Sequence, residues 1–200
     1  MTNDSRPRIL AVGDAVAPTG FARVTRHILQ PMVGDFDVHQ LAVNYNGDPH
    51  TLPWKLYPAA TGGDLIGTNR LPELVDQIRP DLLFLAGNLD RVHQYLVTLE
   101  DKPNRPATVA YSPVEAAPVS RQLVETIPAI DCQVFYTQFA KREFDKALEA
   151  NGDRSPNRDV RVIPHGVDCA NFQPLGGRTP IWTQGRRQPG GYFLETTQNS

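Results

Sequence analysis

The residues of this chain that could handle a charged or hydroxyl-rich ligand follow its short apolar runs. After "RILAVGD" comes "AVAPTGFARVTR", in which Thr19-Gly20 precedes a helical pattern and Arg23 and Arg26 fall within its first two turns. A glycine there lets backbone N–H groups approach an anion at the positive end of a helix, and the arginines add charge. The chemistry on offer is phosphate contact; the plain alternative is a glycine-bearing turn with solvated arginines. After "PDLLFLAG" come Asn88 and Asp90, and "ATVAYSP" carries Ser112 at its end with Glu115 just beyond. Asn88 and Glu115 suit a ligand rich in hydroxyls, because a carboxylate accepts from two OH groups at once, and Ser112 is counted with them. A helix N-cap for Asn88 and a solvated loop position for Glu115 are the bland alternatives. Thr137, after "CQVFY", is most simply an N-cap.

Other chemistries lack their residues. The dinucleotide fingerprint GxGxxG and the P-loop GxxxxGK[ST] are absent, which lowers the NAD-type and NTPase readings. "DFD", Asp35–Asp37, has the form of the DxD that holds a sugar-nucleotide's cation, but it opens a strand instead of closing one and so faces the wrong end of a sheet. His27, His39, His50, His93 and His165 show no metal-ligand spacing, so no metal is expected. There is no GxSxG elbow, and neither Cys132 nor Cys169 has a basic sequence neighbour marking a nucleophile. No side chain is singled out as catalytic.

The elements that must position these residues alternate. Strand signals in "RILAVGD", "FDVHQLAVN", "PDLLFLAG", "ATVAYSP", "CQVFYT" and "VRVIP" are separated by helical ones. Among the latter, "GFARVTRHILQPM" places Phe21, Val24, Ile28 and Leu29 at helical spacing. "QFAKREFDKALEA" does the same with Ala140, Phe144, Ala147 and Leu148, and "LPELVDQIR" is stopped by Pro80. Residues 47–68 read as a Pro/Gly-rich connection. The alternation predicts an α/β fold with a doubly wound, mainly parallel Rossmann-like sheet, and the ligand crevice of such a sheet lies beyond the carboxyl ends of its strands. The predicted domain covers residues 1–175, and 176–200 reads as a linker or poorly ordered tail.

Composition narrows the setting. A net charge of -2 argues against a dedicated nucleic-acid or anionic-membrane surface. Two cysteines outside any CxxC, no signal-like N-terminus and no membrane-length apolar run lead to the expectation of a cytoplasmic, globular protein.

Three pieces line up in order: "ILAVGDAVAPTGFARVTRHIL", "VAYSPVEA" and "VFYTQFAKREF…VRVIPHGVDCANFQPL". Together they resemble the N-terminal half of a GT-B glycosyltransferase, of the kind grouped as glycosyltransferase family 4, over roughly residues 8–175. The most specific part is "VIPHGVDCANFQPL", which in that family ends the first Rossmann-like domain and enters the interdomain linker. The resemblance implies retaining transfer from a nucleotide-sugar to an acceptor, with no cofactor and no DxD metal. It places Thr19, Gly20 and Arg23 at the donor diphosphate, and Asn88, Ser112 and Glu115 along the acceptor cleft. His165, Gly166 and Asp168 fall at the domain junction.

Two departures from the family pattern stand out. Many members carry a histidine after the strand matching "TVAYSP", where this chain reads Tyr111-Ser112-Pro113. The family's second, donor-binding domain has no counterpart in residues 176–200. The expectation is therefore an acceptor-binding half, inefficient alone, whose partner is a second GT-B half or another copy. A non-catalytic sugar-, nucleotide- or protein-binding module of the same fold is the alternative, and an unrelated flavodoxin-like domain a more distant one.

Overall fold

The computed structural model describes residues 6–125, 129–152, 159–167 and Cys169. Among these, one sheet holds β1 (Arg8–Asp14), β2 (Asp37–Val43), β3 (Lys55–Pro58), β4 (Leu82–Ala86), β5 (Ala107–Ser112), β6 (Cys132–Phe135) and β7 (Asp159–Val162). The order is β3-β2-β1-β4-β5-β6-β7, and every neighbouring pair is parallel. The helices are α1 (Gly20–Leu29), α2 (Arg70–Ile78), α3 (Leu89–Val97), α4 (Arg121–Glu125) and α5 (Gln138–Ala150), with a 3-10 turn, Gln30–Met32, extending α1. The predicted α/β Rossmann-like architecture is the one observed.

Alternation along β1 builds both layers, since successive strand side chains point to opposite faces. Leu10 and Val12 join Leu41, Leu83 and Leu85 under α2 and α3, where Leu71, Leu74, Ile78, Val92 and Leu96 meet them. Ile9 and Ala11 face the other way, toward Leu29 of α1, Trp54, Phe84 and Tyr111. A third cluster seats Phe144 of α5 on Phe135, with ring centroids 4.8 Å apart. The helical face expected for α5 is the one used: Ala140 and Phe144 are buried, and Ala147 and Leu148 pack at their rim.

One strand escaped the pattern. Residues 47–68, expected as connection only, contain β3, an edge strand paired with β2 from His39↔Lys55 to Ala42↔Pro58. Four residues ending in proline make a poor strand signal, but a proline at a sheet edge is tolerated because its missing N–H faces no further strand. The Ala59 N–H carries the pairing on to the Ala42 carbonyl at 3.0 Å. The same connection is organised by Asp64, whose carboxylate accepts from the backbone of Ile66, Gly67 and Asn69 and from the Thr68 hydroxyl.

Helix ends follow local chemistry. Thr137 caps α5 by accepting from the Ala140 N–H at 3.1 Å, as expected. Helix α2 ends on Arg79, a non-glycine residue in the left-handed region at φ 51°, immediately before Pro80. The chain divides into one compact unit, Met1–His165, and a second, Gly166–Ser200. Asp168 and residues 176–200, on which expectations were placed, lie outside the described residues.

Candidate functional site

The sheet reverses its direction of growth at β1. From β1 the chain builds outward through β2 to β3, then returns to place β4 on the other side of β1. Loops leaving the carboxyl ends of β1 and β4 therefore separate, and the gap between them is the natural ligand crevice of an open parallel sheet. A cavity of about 130 Å³ lies there, lined by Gly13 and Asp14 of β1, Phe21 of α1, Val43 and Asn44 at the end of β2, and Ala86, Gly87, Asn88, Arg91 and Tyr95.

Its polar groups are held from behind. Asp14 accepts from the Thr19 hydroxyl at 2.6 Å and from the Asn44 side-chain amide at 3.1 Å. Asn44 sits at φ 55°, a left-handed position that asparagine tolerates better than most residues. Beneath them the fully buried Gln40 donates to the carbonyls of Gly13 (3.2 Å) and Asp14 (3.1 Å) and accepts from the Trp54 indole N–H (3.0 Å). Tyr95 donates to the Ile66 carbonyl at 2.8 Å. Burial pushes its phenol up to about 12, with Arg91 pulling the other way and Asp64 and Asp14 adding to the rise.

The first loop differs in detail from the phosphate cradle expected. Thr19 is the N-cap of α1, accepting from the Ala22 N–H at 3.1 Å while giving its own hydrogen to Asp14. Its hydroxyl is thus already engaged as both donor and acceptor. Gly20 opens the helix with empty space around it: a Cβ built there would meet nothing within 4 Å. Arg23 is exposed, and its guanidinium makes no ion pair among the described residues.

Asn88 is where the strand-end reading and the geometry coincide. It occupies the N-cap position of α3 yet makes no capping hydrogen bond, and its Oδ1 is buried without a partner among the described residues. A buried amide oxygen left unpaired loses on the order of 1–3 kcal/mol relative to a bonded one. Here it lines a cavity in which a ligand hydroxyl would satisfy it.

Ser112 and Glu115 stand at the next strand end and do not line this cavity. Ser112 is fully buried, its Oγ also unpartnered among the described residues. Glu115 is exposed and lies close enough to Tyr136 for its charge to raise that phenol, after burial and Tyr111. His165 follows β7 and packs on Tyr111 and Tyr136, with Gly166 exposed next to it in sequence. Asp37 opens β2 at the amino edge and contacts His39 Nε2 at 3.1 Å, so the DxD match faces away from the crevice. Among the described residues no cluster of three or more His, Cys, Asp or Glu could hold a metal, and no helix is long and apolar enough to cross a membrane.

The sequence reading missed Asp14, Asn44, Arg91 and Tyr95. Asp14 and Asn44 each carried the same signal as Asn88, being the polar residue that closes a strand. Arg91 lies one helical turn beyond Asn88, and i to i+3 spacing puts both on one side of α3.

A second, wider cavity of about 430 Å³ lies among Arg6, Val33, Phe36, Asp37, Trp54 and Lys55. It opens at the amino ends of β2 and β3, where no loop leaving a strand converges, so the smaller crevice is the better candidate.

No family model and no curated protein matches this sequence. Solved structures do. Anabaena Alr3699/HepE, in complex with UDP and glucose, is 16% identical with a TM-score of 0.53, over 82% of this chain and 46% of that one. An alpha,alpha-trehalose-phosphate synthase (UDP-forming) from Burkholderia vietnamiensis is 16% identical with a TM-score of 0.56, over 89% of this chain and 52% of that one. An alpha,alpha-trehalose 6-phosphate synthase from Burkholderia multivorans is 16% identical with a TM-score of 0.52, over 84% and 50%. At this identity the likeness shows the fold. The chain spans about half the length of these structures.

Proposed function

We propose that this chain is the acceptor-side half of a GT-B glycosyltransferase, similar to family 4, moving a sugar with retention from a nucleotide-sugar to an acceptor. The observation that carries the reading is the crevice between β1 and β4, where Asn88 leaves a buried acceptor unpaired beside Asp14 and Arg91. Hydroxyls satisfy such acceptors, and an arginine at the same mouth favours a ligand with negative charge. At about 130 Å³ the cavity is well below the roughly 300–1,000 Å³ of a complete small-molecule site. It takes the hydroxyl-bearing edge of a sugar and leaves the rest of the ligand to another surface. That supports the need for a donor-side domain, in this polypeptide or another. Departure of a nucleoside diphosphate calls for charge stabilisation more than for a protein base, and in this reading the start of α1 with Arg23 would add it. No cofactor beyond the nucleotide-sugar is required, and the cytoplasm, where nucleotide-sugars and free thiols such as Cys132 coexist, is the proposed setting.

The Asp14 carboxylate favours a second reading. A fixed negative charge bonded to the cap of α1 opposes a phosphate at that helix end, which suits a module that binds neutral sugar without catalysis. Calorimetric titration with UDP-glucose, UDP and glucose separates the two. The transferase reading expects UDP-glucose to bind more tightly than glucose, and Gly20→Val to weaken it by about tenfold, or 1.4 kcal/mol. Because a Cβ at this position meets nothing within 4 Å beyond its immediate surroundings in the chain, thermal stability should change little. Undiminished UDP-glucose binding by the variant overturns the phosphate-loop assignment, and binding of glucose alone establishes the second reading.

A further inference from the structure

Three rings meet where β5, β6 and β7 end. The His165 ring lies 4.1 Å from that of Tyr136 and 5.6 Å from that of Tyr111, the latter edge-on. The Tyr111 hydroxyl is 2.9 Å from the Ile163 carbonyl oxygen and 3.0 Å from His165 Nδ1. These two contacts determine where the protons are. A phenol has one hydrogen and a carbonyl oxygen has none, so the Ile163 contact is a bond only if Tyr111 donates. The phenol oxygen can then only accept from Nδ1, which must carry the ring hydrogen. A neutral imidazole has a single N–H, so Nε2 is left with a bare lone pair. Burial raises both phenols, which keeps the Tyr111 hydrogen in place. His165 itself is exposed, and Nε2 has no hydrogen-bond partner among the described residues.

We propose that Tyr111 and the Ile163 carbonyl fix His165 as the Nδ1–H tautomer, so that Nε2 accepts a hydrogen bond from a sugar hydroxyl at the carboxyl edge of the sheet. Tyr111 is the positioning residue, and His165 is the group that touches the ligand. The ligand class rests on the proposed function; the tautomer does not.

Long-range proton–nitrogen correlation on the full chain with ring-labelled histidine tests both parts. It is run at about pH 8.5, two units above the ordinary imidazole value. In the unaltered protein His165 should show a protonated δ1 and a bare ε2 nitrogen. Tyr111→Phe should shift the population toward Nε2–H, whereas Tyr136→Phe, which touches neither proton, should not. A predominant Nε2–H form in the unaltered protein, or a spectrum unmoved by Tyr111→Phe, overturns the tautomer assignment. Glucose added to about 100 mM, enough to fill a low-millimolar site, should move the ε2 resonance more in the unaltered protein than in Tyr111→Phe. An ε2 nitrogen that ignores the sugar overturns the hydroxyl assignment. Failure to bind UDP-glucose in the same sample counts against the donor-phosphate assignment at the start of α1 and leaves the tautomer result standing.

Discussion

Replacing Gly13 by alanine is expected to destabilise the protein by about 3–5 kcal/mol in urea denaturation. Gly13 adopts φ +154°, in backbone territory that side chains rarely enter, and a Cβ there would stand 2.8 Å from the Ala86 carbonyl oxygen. The backbone conformation alone costs about 1–3 kcal/mol for a residue other than glycine. Forcing an atom into a packed contact costs a similar amount again. Relief is hard to find, because the clashing atom is backbone of β4, paired with β1 from Ile9↔Leu82 to Val12↔Leu85. The strands would have to part where the crevice begins, so the variant should also bind UDP-glucose more weakly. A loss of less than about 1 kcal/mol would mean that β1 and β4 are not held this closely at the switch point.

The second large effect is expected from Gln40→Ala, again about 3–5 kcal/mol by the same measurement. Gln40 is fully buried and joins three groups: the carbonyls of Gly13 and Asp14 and the indole N–H of Trp54. Truncation leaves each of them short of a partner, the Gly13 carbonyl and the indole N–H in buried bonds and the Asp14 carbonyl in a half-buried one, at about 1–3 kcal/mol for a buried group left unpaired. Trp54→Phe removes only the indole donor and should be milder, since one acceptor is then left over. In a double-mutant cycle the two changes should couple by at least about 0.5 kcal/mol, because they share one bond. Strict additivity would show that the Trp54–Gln40 bond contributes nothing to the folded state. The link from stability to function is short: Gln40 fixes the backbone of the two residues that form the β1 wall of the crevice.

Much of this was legible in the sequence, and the residues show why. Strands β1, β4, β5 and β6 are apolar runs followed by helical patterns, β2 alternates, and that order of elements leaves few topologies open. The strand-end rule pointed to Asn88, whose side-chain oxygen is buried without a partner among the described residues. Strand β3 was hidden because Lys55–Pro58 is short, mixed and ends in proline, and its pairing with β2 is a tertiary fact. Gln40 was hidden for the opposite reason. In "FDVHQLAVN" it reads as the polar half of an alternating strand, when in fact it is buried and bonded at both ends. Asp14 and Arg91 were in plain view, but their roles depend on β1 lying beside β4, which no local pattern encodes. The Tyr111–His165 contact joins residues 54 positions apart and depends on β5, β6 and β7 being consecutive in the sheet.

The carboxyl edge at the β1–β4 switch point is the proposed ligand site, and amide chemical-shift mapping tests that directly. The full chain is titrated first with UDP-glucose and then, separately, with glucose. The largest shifts are predicted at Gly13, Asp14, Gly20, Asn44 and Asn88–Arg91, with both ligands moving Asn88 and only UDP-glucose moving Gly20. Shifts concentrated instead around Val33, Phe36, Trp54 and Lys55, at the wider amino-end cavity, would contradict the placement of the site.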